Sequence, residues 1–303
     1  MKQFKALLLK EYWTNKKWVY MPLIISISLF VLFGIIAIIA TFHPDGEVNT
    51  IDFWNDYENV NTFDMGMNYE TEITLHGRLV HSYALGMWML IGSTLLILIC
   101  YIVLTTGVIN DDFKKKCIVF HTALPVSFLK RTMAKFAFII GTLPLQMFGL
   151  SIINLLIVIT FFSKNVTFHQ FGYAFLGLLQ ASISLFIWAT LLLSIIWFFS
   201  AVFKNKTINY IILTYILSTS ILGFIDWYFK VEIVKYLVLP FLKMLFKFDI
   251  NFTISSIMIL GDINNAVFVN WLNIFSTGSL WKLGFAAAFF TLGKNILSKR
   301  EIA

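Results

Sequence analysis

Long apolar segments alternate with short polar ones along most of the chain, a pattern typical of helices that cross a lipid bilayer. Several of these segments exceed the roughly 20 residues that a helix needs to span a hydrocarbon core about 30 Å thick. The pattern predicts six transmembrane helices, at residues 18–42, 83–109, 136–162, 171–203, 208–228 and 280–297. No strand-like alternation or soluble domain of useful size remains. The predicted fold is therefore all-α, a polytopic membrane protein with one transmembrane domain over residues 1–303.

The first 17 residues predict a separate amphipathic helix that lies on the cytoplasmic leaflet. Basic residues cover most of it, and its apolar residues recur at helical spacing. These apolar residues are Phe4, Leu7, Leu8 and Tyr12, with Trp13 beside them. We expect the chain to turn from this interfacial helix into the first span at Pro22.

The region between the fifth and sixth spans, residues 229–279, predicts interfacial or re-entrant helices. Its segment VEIVKYLVLPFLKMLFKF places Lys235, Lys243 and Lys247 among apolar residues, and Pro240 interrupts the run. Lysines in such a setting extend to the headgroups while the apolar face stays in lipid. A seventh span is the alternative interpretation.

Composition and charge agree with a membrane protein. Hydrophobic residues make up 59% of the chain and charged residues 13%, against about 25% charged residues in soluble domains. A net charge of +7 could indicate nucleic acid, but the bases flank the apolar runs as membrane anchors, so we expect contact with the lipid bilayer and not with nucleic acid.

The positions of the bases also predict the topology. With both termini in the cytoplasm, most of the 23 lysine and arginine residues fall on the cytoplasmic side, as the positive-inside rule requires. Half of the 16 acidic residues then lie in an external loop at residues 43–82. We interpret this loop as solvated; a functional gate is the alternative.

The spans offer little chemistry of their own. Gln146, Asn154 and Gln180 are the main polar candidates, and interhelical hydrogen bonding is their expected role. Cys100 and Cys117 lack disulfide or metal-ligand spacing, the histidines form no metal motif, and no phosphate-binding G-x-x-x-x-G-K-[ST] loop occurs. We predict no catalytic, cofactor-binding or metal-binding residue in this chain. Because carboxylates at membrane depth are also missing, an ion-coupled transporter or a membrane enzyme is disfavoured.

A cytoplasmic coupling segment at residues 110–135 connects the second and third spans. Its sequence, quoted from Asp111 to the first residue of the third span at Phe136, is DDFKKKCIVFHTALPVSFLKRTMAKF. It combines an acidic pair, a lysine triplet and a short apolar helix over residues 117–124 that a proline ends and a serine N-cap follows. The residues concerned are Asp111, Asp112, Lys114, Lys115, Lys116, Phe120, Leu124, Pro125 and Ser127. An ordinary basic loop is the alternative, although a plain connection needs only a few residues.

These motifs, in this order, resemble the permease subunits of type-2 ATP-binding-cassette (ABC) exporters. Further similarities are the segment KEYW with Pro22 after it, the ending SIIWFFSAVFKNK of the fourth span, SLW before the last span and SKR near the end of the chain. The basic patch consists of lysines here, where the family usually carries arginines. The similarity extends over nearly the whole chain, including six spans with both termini inside.

The resemblance implies a permease domain in the cytoplasmic (inner) membrane of a bacterium. It implies that the nine motif residues listed above for the connecting stretch couple this chain to an ATPase. It also implies an interfacial-helix role for Lys10, Glu11 and Trp13. It also implies two partners, an ABC ATPase subunit that binds ATP and Mg²⁺, and a second permease copy in a homodimer or related heterodimer. A permease-like membrane sensor or scaffold without transport is the alternative function.

Overall fold

The computed structural model describes residues 2–41, 69–114, 126–162, 167–203, 207–230, 243, 247 and 263–302. Every element in these ranges is helical, and they contain no strand. The helices are α1 (Lys2–Thr41), α2 (Tyr69–Lys114), α3 (Phe128–Phe162), α4 (Phe168–Phe203), α5 (Thr207–Phe229), α6 (Ile263–Ile274) and α7 (Thr277–Ile302). The predicted all-α fold is thus confirmed for the described part of the chain.

Three of the described helices are long and apolar enough to cross a bilayer. They are Phe128–Ile157 within α3, the whole of α4, and α5. A shorter apolar segment, Ile97–Ile109, lies within α2. Together these helices fit a helical membrane protein.

Helix α4 is the centre of the bundle. Its consecutive residues Ala189, Thr190 and Leu191 are all buried, and successive helical positions differ by about 100° around the axis. Protein therefore surrounds this part of α4, while α2, α3, α5, α6 and α7 pack around it. At the periphery, α5 is stacked on α4 through Tyr210 and Phe203.

The contacts at the two ends of the bundle show that α2 and α3 run in opposite directions. At one end, the Lys135 Nζ atom of α3 donates a hydrogen bond of 3.0 Å to the Val108 carbonyl oxygen of α2. At the other end, Leu85 of α2 packs in one cluster with Leu155 of α3 and Leu178 of α4. Since residue numbers rise along α2 where they fall along α3, the two helices are antiparallel.

Helices α4 and α7 share the direction of α2. The Trp197 ring of α4 contacts Phe136 of α3 and Phe290 of α7, with ring centroids 5.4 and 5.8 Å apart respectively. Further back along α4, Leu191 packs with Ala286 of α7. Consequently α2, α4 and α7 are parallel, and α3 packs beside them in the opposite direction.

Two glycines allow the backbones of α2 and α4 to touch. A Cβ atom added at Gly86 of α2 would overlap the carbonyl oxygen of Ala174, and one added at Gly177 of α4 would overlap the carbonyl oxygen of Tyr83. Small residues at a helix crossing permit such close packing within membranes, where it replaces a hydrophobic driving force.

The predicted turn at Pro22, between the interfacial helix and the first span, is wrong. The predicted interfacial helix and first span form one continuous helix, α1, with Pro22 inside it. Asn15, Val19 and Pro22 are buried in succession on one face, so the helix packs against the bundle before the proline and at the proline itself. This packing offsets the single hydrogen bond that proline removes.

Helix α2 begins much earlier than predicted. Residues 69–82 were assigned to the external loop, yet they are helical. Val80, Tyr83, Ala84 and Met87 are buried at i, i+3, i+4 and i+7, so one packed stripe crosses the predicted boundary. Helix α3 also begins before the predicted span at residue 136, at Phe128, directly after the N-cap predicted at Ser127. Hydropathy marks where a helix leaves lipid, whereas packing and capping decide where it ends.

Candidate functional site

Four of the nine predicted coupling residues lie at the facing ends of α2 and α3. Asp111, Asp112 and Lys114 belong to the last turns of α2, and Ser127 directly precedes α3. Its carbonyl oxygen accepts a 3.2 Å hydrogen bond from the Arg131 backbone nitrogen, as expected for an N-cap residue. The other predicted coupling residues fall outside the described ranges. They are Lys115, Lys116, Phe120, Leu124 and Pro125.

A side-chain contact ties these two helix ends together. The Lys135 ammonium group is half-buried and binds the Val108 carbonyl of α2, and Thr132, one turn before it, is buried. Sequence analysis treated Lys135 only as one of the cytoplasmic bases. Its contact means that the ends of α2 and α3 flanking the connecting stretch are held as a unit.

The three predicted interfacial residues of α1 have different surroundings. Lys10 and Trp13 are exposed, whereas Glu11 is buried. The Asn15 Nδ2 atom donates to the Glu11 carbonyl oxygen at 3.0 Å and to its carboxylate Oε2 at 3.4 Å. Burial of Glu11 places one carboxylate of the KEYW motif against the bundle, a feature that amphipathic spacing alone did not indicate.

Tyr12 also joins two turns of α1. Its hydroxyl group and that of Tyr20 form a hydrogen bond, and this bond raises the pKa of Tyr12 above its ordinary value, with a further contribution from burial. The phenol therefore stays neutral over a wider pH range, which preserves the contact.

The predicted role of Gln146 is confirmed. Its Nε2 atom, on α3, donates a 2.6 Å hydrogen bond to the Val19 carbonyl oxygen of α1. Asn154, another predicted polar residue, is half-buried on α3. The contact of Gln146 fastens α1 to the bundle near its buried face.

The most elaborate polar site joins α2, α4 and α6 through Tyr83, Gln180 and Asn270, which we call the polar end. All three side chains are at most 1% exposed. The Asn270 Nδ2 atom donates to the Tyr83 hydroxyl oxygen at 2.8 Å, and that hydroxyl donates to Gln180 Oε1. Gln180 Nε2 then donates to the Val267 carbonyl oxygen at 2.9 Å. The hydrogen-bond chain thus starts and ends on α6.

Of the three side chains in this hydrogen-bond chain, the sequence predicted a polar role for Gln180 but not for Tyr83 or Asn270. Tyr83 stood at a predicted span boundary, where tyrosines usually mark the lipid interface. Asn270 stood in a region without assigned helix bounds. A usable signal was the spacing of Ile263, Ala266, Asn270 and Ile274, which are the buried residues of α6 and repeat at three to four positions.

The opposite joint, which we call the aromatic end, consists of Phe136, Trp197 and Phe290 from α3, α4 and α7. The centroids of Phe136 and Phe290 are 4.3 Å apart, and Trp197 is fully buried. A Cβ atom added at Gly293 of α7 would press on the Trp197 ring. Ring packing and one small residue, rather than hydrogen bonds between side chains, bring these helices together.

Sequence analysis also missed a buried lysine near the start of α7. Lys282 is 1% exposed, and its Nζ atom donates a 2.6 Å hydrogen bond to the Lys247 carbonyl oxygen. An ionisable group in such a place needs polar partners, and this carbonyl supplies one. The contact connects α7 to the region that sequence analysis assigned to interfacial or re-entrant helices.

These arrangements position helices, and none of them resembles a reactive centre. Within the described ranges, no three His, Cys, Asp or Glu side chains come together as metal ligands would. Comparison with known proteins gave no match to a family model, to a curated protein sequence or to a solved structure. Any functional assignment therefore depends on the residues of this chain.

Proposed function

We propose that this chain is the membrane subunit of an ATP-driven ABC exporter, which forms the transport path and is driven by a separate ATPase subunit. The observation that carries the proposal is the contact between Lys135 and Val108. It holds together the two helix ends that flank a lysine-rich stretch with its own short apolar segment. Because its flanking helices are joined, such a stretch has a more fixed position than an unattached loop, and a fixed position favours docking of a partner.

The helix directions support a six-span topology. An alternating path through a bilayer requires the second, fourth and sixth spans to be parallel and the third to oppose them. Helices α2, α4 and α7 meet this requirement against α3. In the proposed topology α1, α2 and α7 are spans in addition to α3, α4 and α5, and both termini lie in the cytoplasm. The end of the bundle at Trp197 then faces the cytoplasm, and the polar end lies toward the outside.

The packing offers a route from the connecting stretch to the bundle. A displacement there acts on α2 and α3 together, because Lys135 joins them. From α3 it reaches α4 and α7 through the aromatic end, and from α2 it reaches α4 through the glycine contacts. Packed elements of this kind transmit movement as rigid bodies.

Energy for transport comes from ATP and Mg²⁺ bound by the partner ATPase, since this chain has no phosphate-binding loop. The functional complex contains a second permease copy, identical or related, in the cytoplasmic membrane of a bacterium. No nucleic acid is involved.

The experiment that tests this proposal is co-purification from native membranes, followed by capture of the identified ATPase by variants of the connecting stretch. We expect the Phe120→Ala, Leu124→Ala double variant to bind the ATPase about 5- to 150-fold more weakly, the effect of losing buried anchor side chains worth about 1–3 kcal/mol. Leu145→Ala with Ile153→Ala is the matched control, because both residues are exposed on α3 and far from the stretch.

Full retention of the ATPase and of transport by the double variant would reduce the stretch to an ordinary basic loop. Co-purification of a sensor kinase without any ATPase would contradict the exporter and favour the sensor or scaffold.

A further inference from the structure

Helix α6 is attached to the bundle in a different way from its neighbours. Its hydrogen-bond chain leaves from Asn270, passes through Tyr83 of α2 and Gln180 of α4, and returns to the backbone of α6 at Val267. A second contact follows near the start of α6, where the Tyr173 hydroxyl donates to Asn264 Oδ1 at 2.9 Å. Directional polar contacts therefore add to the packing of Ile263, Ala266 and Ile274 on the inner face of α6.

The outer face of α6 is apolar and exposed. Phe268, Leu272 and Phe275 beyond its end are 60%, 57% and 72% exposed, whereas the inner face carries Asn270 among the buried apolar residues Ile263, Ala266 and Ile274. Apolar residues therefore lie on both faces of α6, unlike in a helix at a water-exposed surface, where only one face is apolar. In a bilayer, moving α6 away from α2 and α4 exchanges apolar contacts with protein for apolar contacts with lipid, so the hydrogen bonds supply the directional part of what holds the closed position.

The connection between α6 and α7 has the form of a hinge. Helix α6 ends at Ile274 and α7 begins at Thr277. At this joint the Ser276 backbone nitrogen donates to the Asn273 carbonyl at 3.2 Å, and the Ser279 nitrogen donates to the Ser276 carbonyl at 3.1 Å. Only two residues separate the helices, so a change in their backbone angles would reorient α6 while α7 stays packed on α4.

By contrast, α2 and α4 pack backbone against backbone. The contacts at Gly86 and Gly177 are between backbones, and Tyr83 and Gln180 extend from this rigid pair. The pair thus offers a fixed receptor for α6, whose position depends on whether the polar chain is complete.

We propose that α6 is a latch: it is closed in this structure and swings as one unit on residues 275–276 when the Asn270–Tyr83–Gln180 chain breaks. Within the exporter proposed above, on which this role rests, release of the latch opens the outer end of the transport path. The latch itself is a property of the isolated chain and can be tested without the ATPase.

The test uses pairs of spin labels in the full-length protein in lipid nanodiscs, after replacement of Cys100 and Cys117. One pair reports on α6, with labels at Ile99 of α2 and Phe268 of α6. A reference pair reports on α2 and α4, with labels at Ile99 and Phe175. All three labelled positions are at least 36% exposed. The distance distributions are compared between the parent protein and variants of the polar chain.

We expect Asn270→Leu to increase the fraction of displaced α6 by about fivefold, the effect of one hydrogen bond of ordinary net strength. Adding Gln180→Met should increase it further, and the reference pair should not change. Ser194→Ala is the matched control, because Ser194 is fully buried on α4 and its hydroxyl donates to the Thr190 carbonyl of the same helix at 2.7 Å. It should leave both distributions unchanged.

An unchanged α6 distance in the double variant would overturn the latch. Broadening of both pairs would overturn it too, because the chain would then stabilise the whole bundle. Hydrogen exchange on the parent protein keeps the test valid should the double variant fail to fold. The amides of α6 should exchange as one group, faster than those of α4 around Gln180, and equal protection of the two helices would contradict the proposal.

Discussion

The aromatic end and the polar end both fasten neighbours to α4, and they do so by different physical means. At the aromatic end, Phe136, Trp197 and Phe290 meet ring against ring. At the polar end, Tyr83, Gln180 and Asn270 meet through hydrogen bonds. Ring packing tolerates small displacements because dispersion is not directional. A hydrogen bond weakens steeply with angle, so the polar chain is either formed or broken.

This contrast assigns different tasks to the two ends. The aromatic end suits continuous transmission of movement between α3, α4 and α7. The polar end suits a two-state element, because breaking one link leaves its other members short of a partner in a medium without water. The two backbone contacts at Gly86 and Gly177 lie next to the polar end and provide its rigid support.

The largest effect should come from Trp197→Ala at the aromatic end. Loss of the indole leaves a cavity on the order of 130 Å³, which costs about 3 kcal/mol at roughly 24 cal/mol per Å³. Thermal unfolding in detergent should show a large fall in Tm. Trp227→Ala on α5 is the control, because Trp227 is 75% exposed. Equal shifts for the two variants would contradict the assignment of Trp197 to a packed joint.

A smaller loss is expected for Gly86→Ala beside the polar end. The new Cβ atom meets the Ala174 backbone, which cannot rotate away as a side chain would, so we expect a cost of about 1–3 kcal/mol. Gly141→Ala is the same change on α3, with no atom within 4 Å of the new methyl group, and helix propensity alone should make it neutral or stabilising by up to about 1 kcal/mol. Chemical denaturation of the two variants measures the difference, and a Gly86→Ala protein as stable as the parent would disprove the backbone contact.

The smallest effect concerns the independence of the two ends. Tyr83→Phe should cost about 0.6–1.7 kcal/mol, the range for hydrogen bonds between membrane helices. The two ends are about 30 Å apart along α4, the rise of the helix from Gly177, which contacts Tyr83, to Trp197. In a double-mutant cycle with Trp197→Leu, the two losses should therefore add to within about 0.5 kcal/mol. A larger coupling energy would mean that the two ends respond as one structure.

Individual residues show how far prediction from the sequence could reach. The predicted span 171–203 became α4, Phe168–Phe203, and 208–228 became α5, Thr207–Phe229, because an uninterrupted apolar run leaves little choice of structure. Helix α2 begins before its predicted span because its charged first turns continue the helix, and hydropathy does not register the buried stripe that includes Val80. The start of α3 followed from the predicted N-cap at Ser127. Pro22 lies within α1 instead of at a turn, because the helix packs against the bundle at Val19 and at Pro22 itself.

For the hydrogen-bonding and packing residues, too, the sequence predicted some features and left others to the tertiary structure. Gln146 and Gln180 could be predicted as interhelical hydrogen-bond donors because an amide among apolar residues must find a partner. The sequence by itself also determined the all-helical class, since in lipid a chain must satisfy its backbone groups within each segment. Only the tertiary structure decided which partners meet: Tyr83 with Gln180 and Asn270, Lys135 with Val108, and Trp197 with Phe136 and Phe290. These pairs are distant along the chain, so they meet only when whole helices pack in the right register. For α2 and α4 the close contacts of Gly86 and Gly177 constrain that register, and no local pattern encodes it.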